Sequence, residues 1–253
     1  TIRKRLMKKW FAYGAIFFSA YLVFLMATMP AAWVVSFVHL PKNSQVSELS
    51  GTVWQSYAKK VRINDVEIND VRSELSFFSL LMLDPKVRVN FGGALVSGPE
   101  GKLTATQLLG QIKITDVDIS LVANQIAEKL NLAIPVEAHN VIDIKIDEFI
   151  IGKPICEEMK GIIQWKKASV TALSEKVSLG ALSANLACEK GALTFIMSPK
   201  NDLGLTFTAY LHSMNKASGN GFLIPGVNFP KKIKPILPFI GKADKQGRYR
   251  LNF

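Results

Sequence analysis

Charge is missing from one long stretch of this 253-residue chain: no Asp, Glu, Lys or Arg occurs from Trp10 to Val38, which is 29 residues. A bilayer span needs ~20 apolar residues. A run that is apolar on every face also excludes an ordinary surface helix with one wet side. The first nine residues lack acids and carry Arg3, Lys4, Arg5, Lys8 and Lys9. A cationic flank stays on the cytoplasmic side of a membrane. The expected organisation is therefore a cytoplasmic segment at 1–9, a transmembrane helix and its exit at 10–38, and a periplasmic domain at 40–253. Trp10, Tyr13 and Trp33 suit the headgroup level, and Pro30 ends or kinks the helix because it lacks an N–H. The alternative is a cleaved signal peptide. Its apolar core would be only ~7–15 residues, although Met29-Pro30-Ala31-Ala32 does hold small residues.

The usual signatures of catalysis are also missing. There is no Walker-type phosphate loop and no Gly-x-Ser-x-Gly elbow. Gly219-Asn220-Gly221 lacks the third glycine and following helix of a dinucleotide site, so it reads as a turn. The histidines are His39, His139 and His212, none with another His or Cys at ligand spacing. Asp116 and Asp118 would place two carboxylates on one strand face, about 7 Å apart by strand rise, but such pairs are ordinarily solvated. No catalytic, metal-binding or cofactor-binding residue is expected, and no cofactor. The reading is a structural or binding protein rather than an enzyme.

Cysteine is scarce: Cys156 and Cys188 are the two in the chain. Beyond a bacterial inner membrane the compartment is oxidising, which favours a disulfide between them. Two buried free thiols are the other reading. The net charge of +11 sits at the ends. Residues 10–230 sum to zero, so a nucleic-acid partner is not implied. The basic end offers Lys231, Lys232, Lys234, Arg248 and Arg250 as candidate contacts to an acidic partner or anionic lipid. An ordinary solvated basic edge is the competing account.

After Pro41 the hydrophobic period is two. Ile142, Ile144 and Ile146 alternate with Asp143, Lys145 and Asp147. Val87, Val89 and Phe91 alternate with Lys86, Arg88 and Asn90. Val71, Ser73, Leu75 and Phe77 alternate with Arg72, Glu74 and Ser76, and Leu203 to Leu211 with Gly204 to His212. Half-buried alternation of this kind belongs to antiparallel strands. Asn64-Asp65, Asn69-Asp70, Gly92-Gly93, Pro99-Glu100-Gly101, Glu189-Lys190-Gly191 and Ser218–Gly221 read as the joints. Two helices are expected, a short one at Ser79–Leu83 and one over Leu121–Leu132 capped by Ser120. Three prolines from Pro230 to Pro238 exclude a central strand there, and Gly247–Phe253 reads as a closing strand. The fold class is mainly β: an N-terminal transmembrane helix, then twisted antiparallel sheets forming a sandwich or an open groove, with few short helices. Leu49-Ser50-Gly51-Thr52-Val53-Trp54 and Met159-Lys160-Gly161-Ile162-Ile163-Gln164-Trp165 form a faint repeat, suggesting two sub-layers divided near 152–158.

Several features together resemble one family. They are the basic start and single span, then Leu49-Ser50-Gly51-Thr52-Val53-Trp54-Gln55-Ser56-Tyr57-Ala58, the two cysteines with Leu182–Gly191 around the second, and the end Gly247-Arg248-Tyr249-Arg250-Leu251-Asn252-Phe253. This organisation resembles the general secretion pathway protein N family, an inner-membrane component of bacterial type II secretion systems. The resemblance implies an accessory role in export of folded proteins across the outer membrane. The protein would sit in the inner membrane as a single-pass protein. It would contact other secretion subunits, of the inner-membrane platform or the periplasm, and meet membrane lipid through its helix. Long one-faced strands behind an anchor are also similar to lipid-transfer proteins of the AsmA type. The alternative function is thus a periplasmic lipid-handling protein that shelters acyl chains along an apolar β-groove.

Overall fold

The computed structural model describes residues 2–33, 44–64, 66–93, 98–108, 110–128, 135–172, 174–213 and 216–252, with side chains except at 2–9, 11, 12, 108, 236 and 239. Helix α1 (Ile2–Ala27) comes first. It ends three residues before Pro30, and the Thr28 hydroxyl donates back to the Phe24 carbonyl at 2.8 Å. Among the described residues, no helix is long and apolar enough to cross a membrane. The expected 10–38 segment is helical to Ala27, and residues 34–38 lie outside the described residues.

The strands that follow the helix, among the described residues, form one antiparallel sheet. Its strands are β1 (Ser44–Gly51), β2 (Gln55–Ile63), β3 (Val66–Leu75), β4 (Lys86–Phe91), β5 (Glu100–Leu108), β6 (Gln111–Val122), β7 (Val136–His139), β8 (Val141–Ile151), β9 (Cys156–Ala172), β10 (Glu175–Glu189), β11 (Ala192–Met197), β12 (Leu205–Ser213), β13 (Lys216–Leu223) and β14 (Tyr249–Asn252). Each pairs with the next in sequence, except that β6 pairs with β8, and β7 adds to the far half of β9. Strands β7 and β8 thus act as one long strand interrupted at Asn140, whose φ is 71°. Of the two architectures expected, the sandwich is replaced by a single 14-stranded sheet. Its ladder runs straight through 152–158, where β8 turns into β9 across Gly152 to Ile155.

The register places apolar residues on one face from strand to strand. One rung reads Phe91, Gly101, Ile119, Ile144, Ile163, Ala184 and Met197 across β4, β5, β6, β8, β9, β10 and β11. The next reads Val117, Ile146, Gly161, Leu186, Phe195 and Ala209. The opposite face carries charge: Glu67 pairs with Lys60 and Arg62, Glu148 with Lys113 and Lys160, and Asp143 with Lys166. Such exposed pairs favour solubility more than stability.

Residues of positive φ inside strands keep the apolar residues on one side. Glu48, Asp70 and Asp116 have φ of 52°, 51° and 54° inside β1, β3 and β6. At each, the apolar spacing steps from two to three: Val46 to Leu49, Ile68 to Val71, Ile114 to Val117. At Asp116 the ladder with β5 also shifts by one residue, a bulge that bends the strand. Asn69-Asp70 is not a joint between strands but lies within β3, in unbroken register with β2. Ser218–Gly221 likewise lies inside β13, paired with β12. A side chain at Gly221 would strike Thr206 and Phe207, so glycine there permits the close approach of the two strands.

Two expected helices shift. The short one, α2 (Phe77–Leu81), starts two residues early because Ser76 caps it, its hydroxyl accepting from the Ser79 N–H. The second is α3 (Ala123–Ala127), and residues 129–132 of the expected span lie outside the described residues. Ser120 does not cap it: Ser120 stays in β6 and donates to Asp143, while Leu121 pairs with Ile142. Pairing with β8 overrides the helical spacing of Val122 and Ile126. A 3₁₀ turn (Lys231–Ile236) and α4 (Leu237–Ile240) form the proline-rich connection, and β14 returns as the closing strand.

Candidate functional site

Three features of this sheet offer chemistry: its apolar face, its junction with α1 and its basic C-terminal corner. The apolar face comes first. Among the described residues its buried apolar clusters are two and small. One joins Ala123, Ala127 and Ala138, where α3 leans on Ile142, Trp165 and Val170. The other joins Leu223, Phe229 and Leu237 near β14. Among the described residues, no buried cluster covers the rungs between them. The chain exposes 17982 Å², against about 11,000 Å² for a compact monomer of this mass. Yet Met159 is 6% exposed and Phe91 9%.

At the junction, Trp54 fixes the end of α1 to the sheet. Its indole N–H donates to the Met26 carbonyl at 2.9 Å, and the Val53 N–H donates to the Met29 carbonyl at 2.9 Å. Pro30 bridges Thr52. Gly51 (φ 90°) makes the turn possible, since a Cβ there would lie 2.3 Å from the Gln55 carbonyl oxygen. The Trp54 ring meets Phe77 edge-on at 5.3 Å. Trp54 precedes β2 and ties helix to sheet. Trp165, its counterpart in the faint repeat, is mid-strand in β9 and donates to the His139 carbonyl at 2.9 Å.

Cys156 and Cys188 form a disulfide, with Cα atoms 6.1 Å apart. It joins the first residue of β9 to the penultimate residue of β10, at the open end of the longest hairpin. Cys156 is buried.

The basic corner does not gather into one patch. Lys232 pairs with Glu175 at 3.1 Å. Arg248 pairs with Asp244 at 2.7 Å and lies over the Phe222 ring at 4.8 Å. The main-chain N–H of Arg248, its guanidinium and the N–H of Gln246 hold the Asp244 carboxyl below its usual range. Lys231 and Lys234 are exposed on the 3₁₀ turn, and Arg250 is exposed on β14 opposite Phe222. Lys231, Lys234 and Arg250 thus remain the cations open to a partner.

The remaining candidates serve the sheet. His139 shares a 2.6 Å hydrogen bond with Thr171, and His212 one of 2.9 Å with Ser218. His39 lies outside the described residues. Asp116 is the bulged residue of β6, and Asp118 faces Lys102 and Lys145 across the ladder. Among the described residues, no group of three or more His, Cys, Asp or Glu is placed to hold a metal ion.

These surfaces define a one-sided β-sheet protein with an N-terminal helix tied to its first hairpin. The chain belongs to the family of protein N of the type II secretion system, whose profile matches residues 42–252. It is similar to the type II secretion system protein N of Aeromonas hydrophila, at 28% identity over 251 residues, covering 98% of each chain. The protein N of Vibrio cholerae serotype O1 is 24% identical over 247 residues, covering 97% of this chain and 98% of that one. That of Klebsiella pneumoniae is 24% identical over 245 residues. No solved structure matches the chain.

Proposed function

We propose that the protein is an inner-membrane accessory component of a type II secretion system. It acts through periplasmic contacts with other subunits in the export of folded proteins across the outer membrane. The observation that carries this reading is the family match, which spans the whole sheet. The anchor is α1. Its side chains from Tyr13 to Met26 are uncharged, and the large ones, such as Phe17, Val23 and Phe24, are exposed all round. Apolar exposure on this scale calls for a non-aqueous cover. The five cations before Trp10 orient it with residues 1–9 in the cytoplasm. Alkaline phosphatase fused after Phe253 is expected to be active, and in-cell cross-linking from Lys231, Lys234 or Arg250 is expected to trap a secretion subunit. An inactive phosphatase reverses the topology. Absence of any subunit adduct, with export unaffected by loss of the protein, removes the secretion role.

A second reading is favoured by one observation: the uncovered apolar rungs from Phe91 to Met197. An apolar face of this kind suits acyl chains. Native mass spectrometry of the purified chain tests it. Bound phospholipid that disappears in Ile163→Glu supports lipid handling, and lipid-free wild-type protein argues for subunit contacts alone.

A further inference from the structure

We infer that Phe77–Leu83 is a second membrane contact, dipping into the periplasmic leaflet of the bilayer that holds α1. The inference rests on α1 being the anchor proposed above. Phe78, Leu81, Met82 and Leu83 are 73%, 72%, 78% and 83% exposed. Four large apolar side chains in six residues, on a segment with no buried residue, do not serve the sheet.

Their position says what covers them. Phe77 abuts Trp54, and Trp54 holds the Met26 carbonyl of α1. Val23, Met26 and Ala27 line one recess together with Trp54 and Phe77. The segment therefore sits beside the last turns of α1, and the medium that covers Val23 and Met26 is continuous over it. From Trp10 to Ala27 the helix rises about 27 Å at ~1.5 Å per residue, close to the ~30 Å of a hydrocarbon core. Its end then lies at the headgroup level, where the amphipathic ring of Trp54 is at home.

A second recess adjoins the first. Trp54, Ser76, Lys86 and Arg88 line it, with Glu74. Its volume is about 360 Å³. It is net cationic and opens beside the apolar segment. Apolar side chains flanked by cations match a phospholipid surface, with acyl chains below and phosphate above. A protein partner would have to reproduce both layers.

The test uses the full chain in nanodiscs of phosphatidylethanolamine and phosphatidylglycerol. The native cysteines are joined in a disulfide, so a single added cysteine takes the dye. Ile16→Cys, Leu81→Cys and Val227→Cys each carry an environment-sensitive fluorophore, and nitroxide-labelled lipid is the quencher. All three positions are exposed, so folding is not at risk. Emission from Ile16→Cys and Leu81→Cys is expected to be mostly lost, with Val227→Cys unaffected. Quenching at Ile16→Cys alone overturns the inference and leaves the anchor standing. A blue-shifted but unquenched Leu81→Cys means protein covers the segment and also overturns it. No quenching at Ile16→Cys overturns the anchor itself.

Discussion

The indole of Trp54 holds the main-chain carbonyl of Met26 across 28 positions of sequence. That bond is where the sheet takes its bearing from the helix. Trp54→Phe keeps the ring against Phe77 and loses the donor, at a cost of about 1 kcal/mol. Trp54→Ala loses both. The expected outcome is faster amide exchange at Val53 in Trp54→Phe and faster still in Trp54→Ala. Equal exchange in all three proteins would show that the bond does not secure the junction.

Reduction should loosen the centre of the sheet. The Cys156–Cys188 bridge closes a separation of 32 residues, worth ~3–4 kcal/mol in the chain-entropy picture. Thermal unfolding with and without reductant, and of the double Ser variant, measures it. Wild-type protein isolated without reductant should show no reactive thiol after denaturation. Two labelled thiols there would refute the bridge.

Acid should weaken the polar face through Glu148. The Lys113 hydrogen bond, helped by Lys160, holds this carboxyl below its ordinary 4.5. A carboxyl lowered in the folded state stabilises fully above its unfolded value, and that contribution fades as pH falls through the folded value. Glu148→Gln should therefore lower Tm slightly at neutral pH and leave it unchanged well below 4.5, which flattens the acid limb of a plot of Tm against pH. An unchanged acid limb would count against the pairing.

The C-terminal segment should divide into a structural and a functional half. Ending the chain after Lys245 removes β14, and with it Tyr249 and Leu251 from the cluster of Leu223, Phe229 and Leu237. A loss of about 3 kcal/mol follows from uncovering two large apolar side chains. Reversing charge at Lys231, Lys232 and Lys234 together should leave Tm nearly unchanged, because the Lys232–Glu175 pair is exposed and worth ~0–1 kcal/mol. If the triple variant still recovers partner subunits in a pull-down, the basic turn is not their docking point.

Much of this was legible where a residue's chemistry acts locally. Pro30 marked the end of α1. Ile142, Ile144 and Ile146 declared the apolar face of β8, and the prolines at 230, 235 and 238 marked a connection that is not a strand. Legibility failed where a partner strand decided. Asp70 looks like a turn residue and Asp116 like a strand carboxylate, yet both have positive φ inside strands and keep Val71 and Val117 on the apolar side. The step from two to three in the apolar spacing was the available signal. Ser120 looked like a cap until Asp143 across the ladder claimed its hydroxyl. The role of Trp54 was hidden for the same reason, since its acceptor is a backbone carbonyl, which no side-chain pattern announces.

The strand order has a consequence for how such a chain is made. Nearly every strand pairs with the one just before it, so a chain that emerges amino end first meets each partner in order of arrival. Short-range pairing of this kind avoids the slow search that distant contacts impose. Every newly emerged strand covers the edge left by its predecessor, which keeps the sticky margin of a growing sheet brief. The exception is β7, which must wait for β9 while β8 goes ahead. The covalent clasp at Cys188 comes after that wait, and it closes the opposite end of β9 from the one that β7 covers.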